Sequence, residues 1–554
     1  MSRPADGETV ATRTPDREKE DAVSRMPRGL AEPRRRRIRA RLLPLATAAA
    51  VAAGCGGEDP AGPSADPFDS VEDVLASEQV TRNPHGVTPL AARIDIETLA
   101  PVSIGLRVEG RNGADSDVVR EPSGVATSHS LPVLGLYPDH DNSVVLTFRS
   151  EGGEELGTRT YTIPTPPLSE HMPSITIDRA TPSAMAEGMT LVSYYGHGGD
   201  PRPNRAFMFD RHGDIRWVLD FDVSNVLGGL AFGDGVHRLR NGHLYFGDGT
   251  DDRIYQVSML GEIVDTWEMP GFAFHHEVTE KPDGNFLVSV TKDGIATIED
   301  HLIEIDRASG EIVNVWDLRQ SLDYDRTTWT DDRTDWVHVN AVTWDERDGT
   351  VIVSGRTQGV VKLTEDNEVV WILGPHRGWG TAGDGTDLES FLLQPLDASG
   401  AAITDSAVLL GDANHPDFQW NWYQHAPVVT PEGNVLLFDN GDNRNYTGNE
   451  LYSRAVEYDI DPEAMTVRQV LSYGEGRGQE TFSRIVSDVD HGTDRGHVFF
   501  SPGAVEVGGD AYGKVIELGP DGDEVLFEAT VTPPMPLFII TFHRTQRMPL
   551  YPGG

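Results

Sequence analysis

A short pattern that recurs six times in the later part of this 554-residue chain constrains its fold more than any other feature. Each copy is a turn followed by an apolar or aromatic strand, and a pair of strand-like runs precedes it. The copies are DRHGDIRWVLDF, SMLGEIVDTWEM, DRASGEIVNVWDL, TEDNEVVWIL, DIDPEAMTVRQVLSY and GPDGDEVLFEATV. Radial repetition of this kind predicts a six-bladed β-propeller over residues 171–554.

The region before the repeats, residues 80–170, predicts a small separate β domain. Runs such as AARIDIETLAPVSIGLRVEG alternate apolar and polar residues, and turn residues separate them at the spacing of a β-sandwich. The 58 Gly and 36 Pro, with only 38% hydrophobic residues, agree with a turn-rich chain. We therefore expect an all-β protein in which a six-bladed β-propeller follows a small β-sandwich.

The first 79 residues have the composition of a targeting segment and a tether. The run PRRRRIRARLLPLATAAAVAAGC joins a basic stretch to an apolar one and places small residues directly before Cys55, the only cysteine. We interpret residues 1–54 as a signal segment, Cys55 as a lipidation site and residues 55–79 as a flexible tether. This predicts an exported periplasmic or cell-envelope lipoprotein, whose lipid anchor is its membrane contact. An ordinary cleaved signal is the alternative.

The charge of the chain excludes one class of partner. There are 46 Lys and Arg against 88 Asp and Glu. Residues 1–54 contain 12 and 7 of these, so the remaining residues have 34 against 81 and a net charge of −47. Such a surface repels nucleic acid. An anionic substrate would therefore need a local positive pocket.

Three strand pairs in the repeat region bring a histidine to the same relative place. FHHEVTEKPDGNFLVSV contains His276, DWVHVNAVTWDERDGTVIVSGRTQG contains His338, and NWYQHAPVVTPEGNVLLFDNGDNR contains His425. In each pair the strand with the histidine leads through a turn into a buried return strand. Because the innermost strands of a propeller line its central channel, we expect these histidines to meet at one site.

Two other polar side chains accompany the histidines. Asn340 lies two residues after His338, so both point to the same face of a strand. Arg356, in SGRTQG, interrupts an apolar strand, and such an arginine either pairs with a buried carboxylate or binds an anion. The aromatic residues before His425 either stack with an aryl ring or pack within a blade; they are Trp420, Trp422 and Tyr423.

These segments, together with WILGPHRGW and SRAVEYDID, resemble the bacterial arylsulfate sulfotransferases. Those enzymes move a sulfuryl group from one phenol to another without a nucleotide sulfate donor. The likeness extends from residue 80 to the C-terminus and includes LPVLGLYPDHDNSVVLTF in the N-terminal β region. It implies an extracytoplasmic enzyme without cofactor or metal, a small-molecule aryl sulfate donor, a phenolic acceptor and a homodimer.

The resemblance also implies a role for each candidate residue. His425 matches the family's histidine nucleophile, which becomes transiently sulfurylated, and Arg356 matches its sulfuryl-binding arginine. The other matching residues are His338, Asn340 and His276. Where the family has a threonine, this sequence has Val486, with Ser483 and Ser487 nearby.

General chemistry agrees with this assignment, and other assignments stay open. A sulfuryl group in transfer resembles SO3 with charge on its oxygens, so the protein must chiefly position it and stabilise that charge. Either His338 or His276 could donate the proton that the departing oxygen needs. The alternatives are a sulfatase that uses water, a non-catalytic ligand-binding propeller, and a metal enzyme whose iron or zinc is held by His237, His276, His338 and His425.

Overall fold

The computed structural model describes residues 68–195, 205–223, 226–227, 235–492, 495–534 and 540–551. The predicted signal segment and Cys55 lie outside these residues. Within them, helix α1 (Val71–Val74) and strand β1 (Leu75–Arg82) occupy positions that the sequence analysis assigned to a flexible tether. The physical reason is that Val71 and Val74 are buried, which fixes the segment against the first sheet.

The N-terminal sheet is organised around one long strand, β2 (Ala92–Val108). Its first half pairs with β1 and β4, and its second half pairs with β3 and β5, while β6 pairs with β5. Alternate residues such as Ile94, Ile96 and Leu106 are buried, as the period of two predicted. The remaining strands are β3 (Val118–Arg120), β4 (Ala126–Val133), β5 (Asp141–Ser150) and β6 (Glu155–Pro164).

Six further sheets follow in the described residues, as many as the repeat has copies. The first contains β8 (Met189–Tyr194), β9 (Arg205–Phe209), β10 (Ile215–Asp220) and β33 (Phe542–Met548). The second contains β11 (His237–Arg238), β12 (Leu244–Asp248), β13 (Arg253–Val257) and β14 (Ile263–Glu268). The third contains β15 (Phe272–Glu280), β16 (Phe286–Lys292), β17 (His301–Ile305) and β18 (Ile312–Asp317).

The later three sheets have the same antiparallel order with small additions. The fourth contains β19 (Val339–Asp345), β20 (Thr350–Gly355), β21 (Gly359–Leu363) and β22 (Val369–Leu373). The fifth contains β23 (Gln394–Pro395), β24 (His425–Val429), β25 (Val435–Asp439), β26 (Arg454–Asp461) and β27 (Thr466–Tyr473). The sixth contains β7 (Ser174–Ala180), β28 (Asp488–His491), β29 (Val498–Ser501), β30 (Val505–Val507), β31 (Asp510–Leu518) and β32 (Val525–Thr532).

The first strand of this region completes the sixth sheet, and the last strand completes the first sheet. Strand β7 pairs with β32, and β33 pairs with β8, so the N-terminal and C-terminal strands are shared between the first and sixth sheets. The sequence analysis predicts a ring of repeats, and this exchange of strands closes one. The leading strands β15, β19, β24, β28 and β33 contact one another in that order.

The six recurring segments end in strands β10, β14, β18, β22, β27 and β32, each of which pairs with the strand before it.

The hydrophobic core lies between neighbouring sheets. One cluster joins Leu287 and Trp316 of the third sheet to Val342 and Val353 of the fourth, all almost fully buried. Burial of each such side chain contributes roughly 1.5–3 kcal/mol. The all-β fold is therefore held by apolar faces between sheets, which leaves the leading strands free to carry polar groups.

Helical segments are short, and two long connections, residues 318–338 and 374–424, contain three of them. The α-helices there are α2 (Leu318–Ser321) and α3 (Ser406–Leu409). The 3-10 turns that the described residues form include Ala114–Ser116, Phe221–Val223, Leu388–Phe391, Arg444–Tyr446 and Glu475–Glu480. Within the described part of the chain, none of the helices has the length and apolarity needed to cross a bilayer.

Candidate active site

The candidate histidines lie at irregularities in the leading strands. The register between β15 and β16 breaks between Phe274 and Val278, and similar breaks occur in the pairings of β19, β24 and β33. The backbone is left-handed at His276 (φ 59°), His338 (φ 50°) and Ala426 (φ 49°). Such a conformation costs roughly 1–3 kcal/mol at a residue other than glycine and is concentrated at functional sites. Bulges of this kind re-aim side chains, here away from the regular ladder.

Three of the five candidate residues line one buried cavity, which we call the histidine cavity. It has about 210 Å³ of empty space and is lined by His276, Asn340, His425, Val486, Ser487, His543 and Arg544. The ring of His276 lies 6.4 Å from that of His425 and 6.0 Å from that of His543, centroid to centroid. The structure therefore brings residues of five leading strands or their flanks together.

His425 presents one ring nitrogen to this cavity because the other is occupied. Its Nδ1 lies 2.7 Å from Oδ1 of Asn440 and 3.1 Å from the carbonyl oxygen of Tyr423. The Asn440 amide nitrogen donates to the carbonyl oxygens of Ser483 (2.8 Å) and Val486 (2.9 Å), which fixes its oxygen towards His425. Both partners of Nδ1 are acceptors, so Nδ1 carries the hydrogen and Nε2 keeps its lone pair.

The electrostatic environment keeps His425 neutral. Burial lowers its pKa well below the usual value, and the positive charges of Arg356 and His338 lower it further, against a smaller rise from the Asn440 hydrogen bond. The side chain is 6% exposed. A neutral imidazole with a free Nε2 lone pair is the form in which histidine acts as a nucleophile.

The pKa of His338 is shifted in the opposite direction from that of His425. Its Nδ1 lies 2.6 Å from Glu299 Oε2 and 2.7 Å from Asp335 Oδ2. Burial and Arg356 lower its pKa, but the two carboxylates outweigh them and raise the pKa to about 9. At neutral pH His338 is therefore an imidazolium. Its Nε2 lies 3.3 Å from Nε2 of His276, whose pKa is lowered well below the usual value by burial and by the neighbouring histidines.

Arg356 does not line the histidine cavity, which corrects the prediction of one shared pocket. It lines a neighbouring space, the arginine cavity, whose walls include Arg326, Trp329, Arg356, Asn421, Trp422 and Tyr423. The reason is local: the guanidinium lies over the Tyr423 ring, 4.6 Å from its centroid, and 3.7 Å from Asp335 Oδ2. Arg356 nevertheless lowers the pKa of both His425 and His338, so its charge acts on the site.

The C-terminal strand contributes two residues that the sequence analysis did not single out. His543 and Arg544 follow each other at the bulge of β33 and both line the histidine cavity. Arg544 contacts Glu277 and donates from Nη1 to Asp488 Oδ1 at 3.1 Å. Burial, assisted by Arg544, lowers the pKa of His543 to about 3. The available sequence signal was the pair His543–Arg544 in the C-terminal run ITFHRTQRMPL.

Val486, which the sequence analysis matched to the family's threonine, lies at the histidine cavity beside Ser487. The backbone is left-handed at both residues, with φ 51° at Val486 and φ 88° at Ser487. The Ser487 hydroxyl donates to Ser483 Oγ at 2.7 Å and accepts from the Gly503 backbone nitrogen at 3.0 Å. This serine therefore supports the local backbone.

The residues that could hold a metal ion differ from the four histidines that the sequence analysis considered as metal ligands. Among the described residues, two groups bring ligand atoms close together: His275, His276 and His338, and Glu299, Asp335 and His338. Neither includes His425, nor His237, which lies 3.5 Å from Glu277. In the second group, Nδ1 of His338 already lies at hydrogen-bonding distance from the carboxylates of Glu299 and Asp335. The four-histidine ligand set is therefore not assembled in the described part of the chain.

Fold and site together define an all-β enzyme in which neighbouring sheets bring histidines and arginines to two adjoining buried cavities. Comparison with protein families then names the family. The chain belongs to the arylsulfotransferase (ASST) family, whose model matches residues 174–537. Residues 79–166 match the arylsulfotransferase Ig-like domain. The protein is a sulfotransferase.

Individual relatives agree with this membership. The chain is 29% identical over 553 residues to arylsulfate sulfotransferase AssT of Escherichia coli O6:H1, covering 81% of this chain and 89% of that protein. It is 28% identical to AssT of Lelliottia amnigena with the same coverage. Among solved structures, a Bacteroides caccae protein of unknown function is 12% identical with a TM-score of 0.36, and covers 62% of this chain and 93% of its own.

Proposed function

We propose that the protein transfers a sulfuryl group from an aryl sulfate to a phenol by a ping-pong mechanism, with His425 as the carrier. The observation that supports this most is the tautomer of His425. Two acceptors hold its Nδ1–H, which leaves the Nε2 lone pair for a cavity that five other polar residues line. No cofactor is required, because the group is already activated in the donor.

In the first half-reaction Nε2 of His425 attacks the sulfur of the aryl sulfate. The N–S bond forms, the S–O bond to the aryl oxygen breaks, and the aryl oxygen leaves as a phenol after taking one proton. The positive charge that develops on His425 is stabilised by Asn440, which accepts from Nδ1. The sulfuryl oxygens carry the negative charge of the transition state, and Arg356 stabilises that charge from the neighbouring cavity.

His338 supplies the proton that the departing aryl oxygen takes. His338 stores it as an imidazolium between Glu299 and Asp335, and His276 stands between His338 and the histidine cavity. Either His338 delivers the proton directly, or His276 accepts it at Nε2 and releases another from Nδ1. In the second half-reaction a phenol attacks the sulfur, the N–S bond breaks, and the phenolic proton returns to the same pair.

The test is an assay with a chromogenic aryl sulfate and a phenol at varied concentrations. A ping-pong enzyme gives parallel double-reciprocal lines and forms a sulfated acceptor in step with released chromophore. Release of inorganic sulfate without need for a phenol would instead identify a sulfatase. Absence of turnover with every donor would favour a binding protein and reject the proposal.

The charge state of His338 predicts the alkaline limb of the pH profile. We expect kcat/KM for the donor to fall as pH rises through about 9, because the imidazolium then loses its proton. Asp335→Asn removes one of the carboxylates that raise this pKa, so the limb should move to lower pH. Asp459→Asn, an exposed aspartate paired with Arg468, is the matched control. A limb that stays in place in Asp335→Asn would contradict the role of His338.

We also propose that the enzyme works outside the cytoplasm, tethered through a lipid on Cys55, and that it is a dimer. The support is the basic and apolar run that ends in small residues before Cys55. Mass analysis of the mature N-terminus should find a lipidated cysteine. An unmodified N-terminus at another residue would exclude the anchor.

A further inference from the structure

The arginine cavity has the features of a binding subsite, and apart from Arg356 its walls take no part in the proposed transfer chemistry. It has about 300 Å³ of empty space and adjoins the site through Arg356 and Tyr423. Two aromatic pairs form its walls: Trp329 with Tyr423, 5.0 Å apart, and Trp422 with Tyr446, 4.9 Å apart, centroid to centroid. Walls of this kind suit a planar aromatic ring.

A buried positive charge lines the same cavity. Arg326 is 5% exposed, and its guanidinium donates only to neutral oxygens. These acceptors are the carbonyl oxygens of Arg377, Gln358 and Pro375 and the side-chain oxygen of Gln358, and the guanidinium also lies over Trp379. Burial lowers the pKa of Arg326 to about 10, so it stays charged at neutral pH.

Among the described residues the carboxylate that acts on Arg326 is that of Asp323, which raises its pKa, and no salt bridge joins the two side chains. A buried charge without a salt-bridge partner is unfavourable, and proteins normally pair it. The positive charge is thus available to an anion that enters the cavity. This holds in spite of the acidic surface, because the described residues that line the cavity include two arginines and no acidic residue.

Three further polar atoms of the cavity walls are buried without a partner in the described part of the chain. They are Asn421 Oδ1, Trp422 Nε1 and Thr328 Oγ1. Asn421 and Trp422 are 3% and 5% exposed. Buried polar atoms nearly always have hydrogen-bond partners, so these atoms indicate that a ligand supplies them. Trp422 Nε1–H is a donor only and therefore requires an acceptor.

We propose that the arginine cavity binds the ring of a phenolic substrate that carries an anionic substituent, such as a carboxylate, remote from the reacting oxygen. This inference rests on the proposed function. Arg326 and the Trp422 indole bind the substituent, and Trp329 and Tyr423 contact the ring. The preferred acceptors are then phenolic acids and related anionic phenols.

The experiment compares two acceptors of nearly equal shape, 4-hydroxybenzoate and its methyl ester. The measured quantity is the ratio of their kcat/KM values, because differences in intrinsic reactivity cancel when variants are compared. We expect the native ratio to favour the acid, and Arg326→Gln to reduce this ratio by at least about tenfold. Arg468→Gln is the matched control, since this arginine pairs with Asp459 and does not line the cavity. It should keep the native ratio.

Two outcomes overturn the subsite while the transferase stands: equal ratios in the native protein and Arg326→Gln, or an equal loss in Arg468→Gln. If no phenol is sulfated, the proposed function fails, and calorimetric binding of 4-hydroxybenzoate tests the cavity alone. Native binding at least about tenfold tighter than in Arg326→Gln supports the subsite, and equal binding rejects it. Trp422→Phe keeps the ring and removes the donor, so weaker binding is expected there even if Arg326→Gln does not fold.

Discussion

Replacing His425 with asparagine is expected to reduce aryl sulfate turnover by at least about 10⁴-fold, as for other enzymes that lose a covalent nucleophile. Asparagine removes Nε2, the only atom of this residue that faces the cavity with a lone pair. Neither His338 nor His276 can replace it. His338 is held as an imidazolium between two carboxylates, and His276 contacts it through Nε2. The measurement is kcat with a chromogenic donor and a saturating phenol.

The matched control for this change is His376→Asn. His376 is a partly buried histidine whose pKa is also lowered, but its Nε2–H donates to the Leu393 carbonyl oxygen at 2.9 Å, and it does not line the histidine cavity. It should keep kcat within a few-fold of native. Thermal unfolding of both variants separates loss of chemistry from loss of fold. Turnover by His425→Asn near the native rate would remove His425 from the mechanism.

Replacing Arg356 with methionine is expected to lower kcat by about 10²–10³-fold, the usual effect of removing one group that stabilises a developing oxyanion. Arg356→Lys should recover little of this, because an ammonium lacks the planar fork and the stacking on Tyr423. The loss should appear in kcat rather than in KM alone, since the charge it stabilises develops in the transition state. Rates with saturating and limiting donor separate the two parameters.

The same change should also alter the pH profile. Arg356 lowers the pKa of His338, so the alkaline limb should move to higher pH in Arg356→Met. Arg468→Met, an exposed arginine paired with Asp459, is the control and should resemble the native enzyme. A change in KM alone, with kcat intact, would show that Arg356 only binds the ring and would reject its role in sulfuryl transfer.

The sequence predicted the sheets well because the turns and strands that form each sheet are close together in the chain. The repeat of a turn and an apolar strand corresponds to the fourth strand of each sheet, and the pair before it supplies the inner strands. The hairpin from His425 to Asp439 has the predicted turn, in which Gly433 donates to the Thr430 carbonyl oxygen. The start of the N-terminal region was misjudged, since Val71 and Val74 look isolated in sequence and are buried only by distant strands.

The site was less predictable because bulges and long-range contacts create it. A left-handed residue such as His338 has no signature in a single sequence, and one such residue redirects its side chain. Asn440 sets the tautomer of His425 from 15 residues away. Glu299 reaches His338 from another sheet. Arg356 lies on the expected strand edge, yet stacking on Tyr423 places it in the adjoining cavity.

The most direct test of the account is mass spectrometry of the enzyme after treatment with an aryl sulfate in the absence of acceptor. The account predicts one added SO3 on the peptide that contains His425, located on the imidazole, and its loss when a phenol is added. His376→Asn should be labelled in the same way, and His425→Asn should not be labelled. Label on another residue, or full turnover without any label, would contradict a sulfurylated His425.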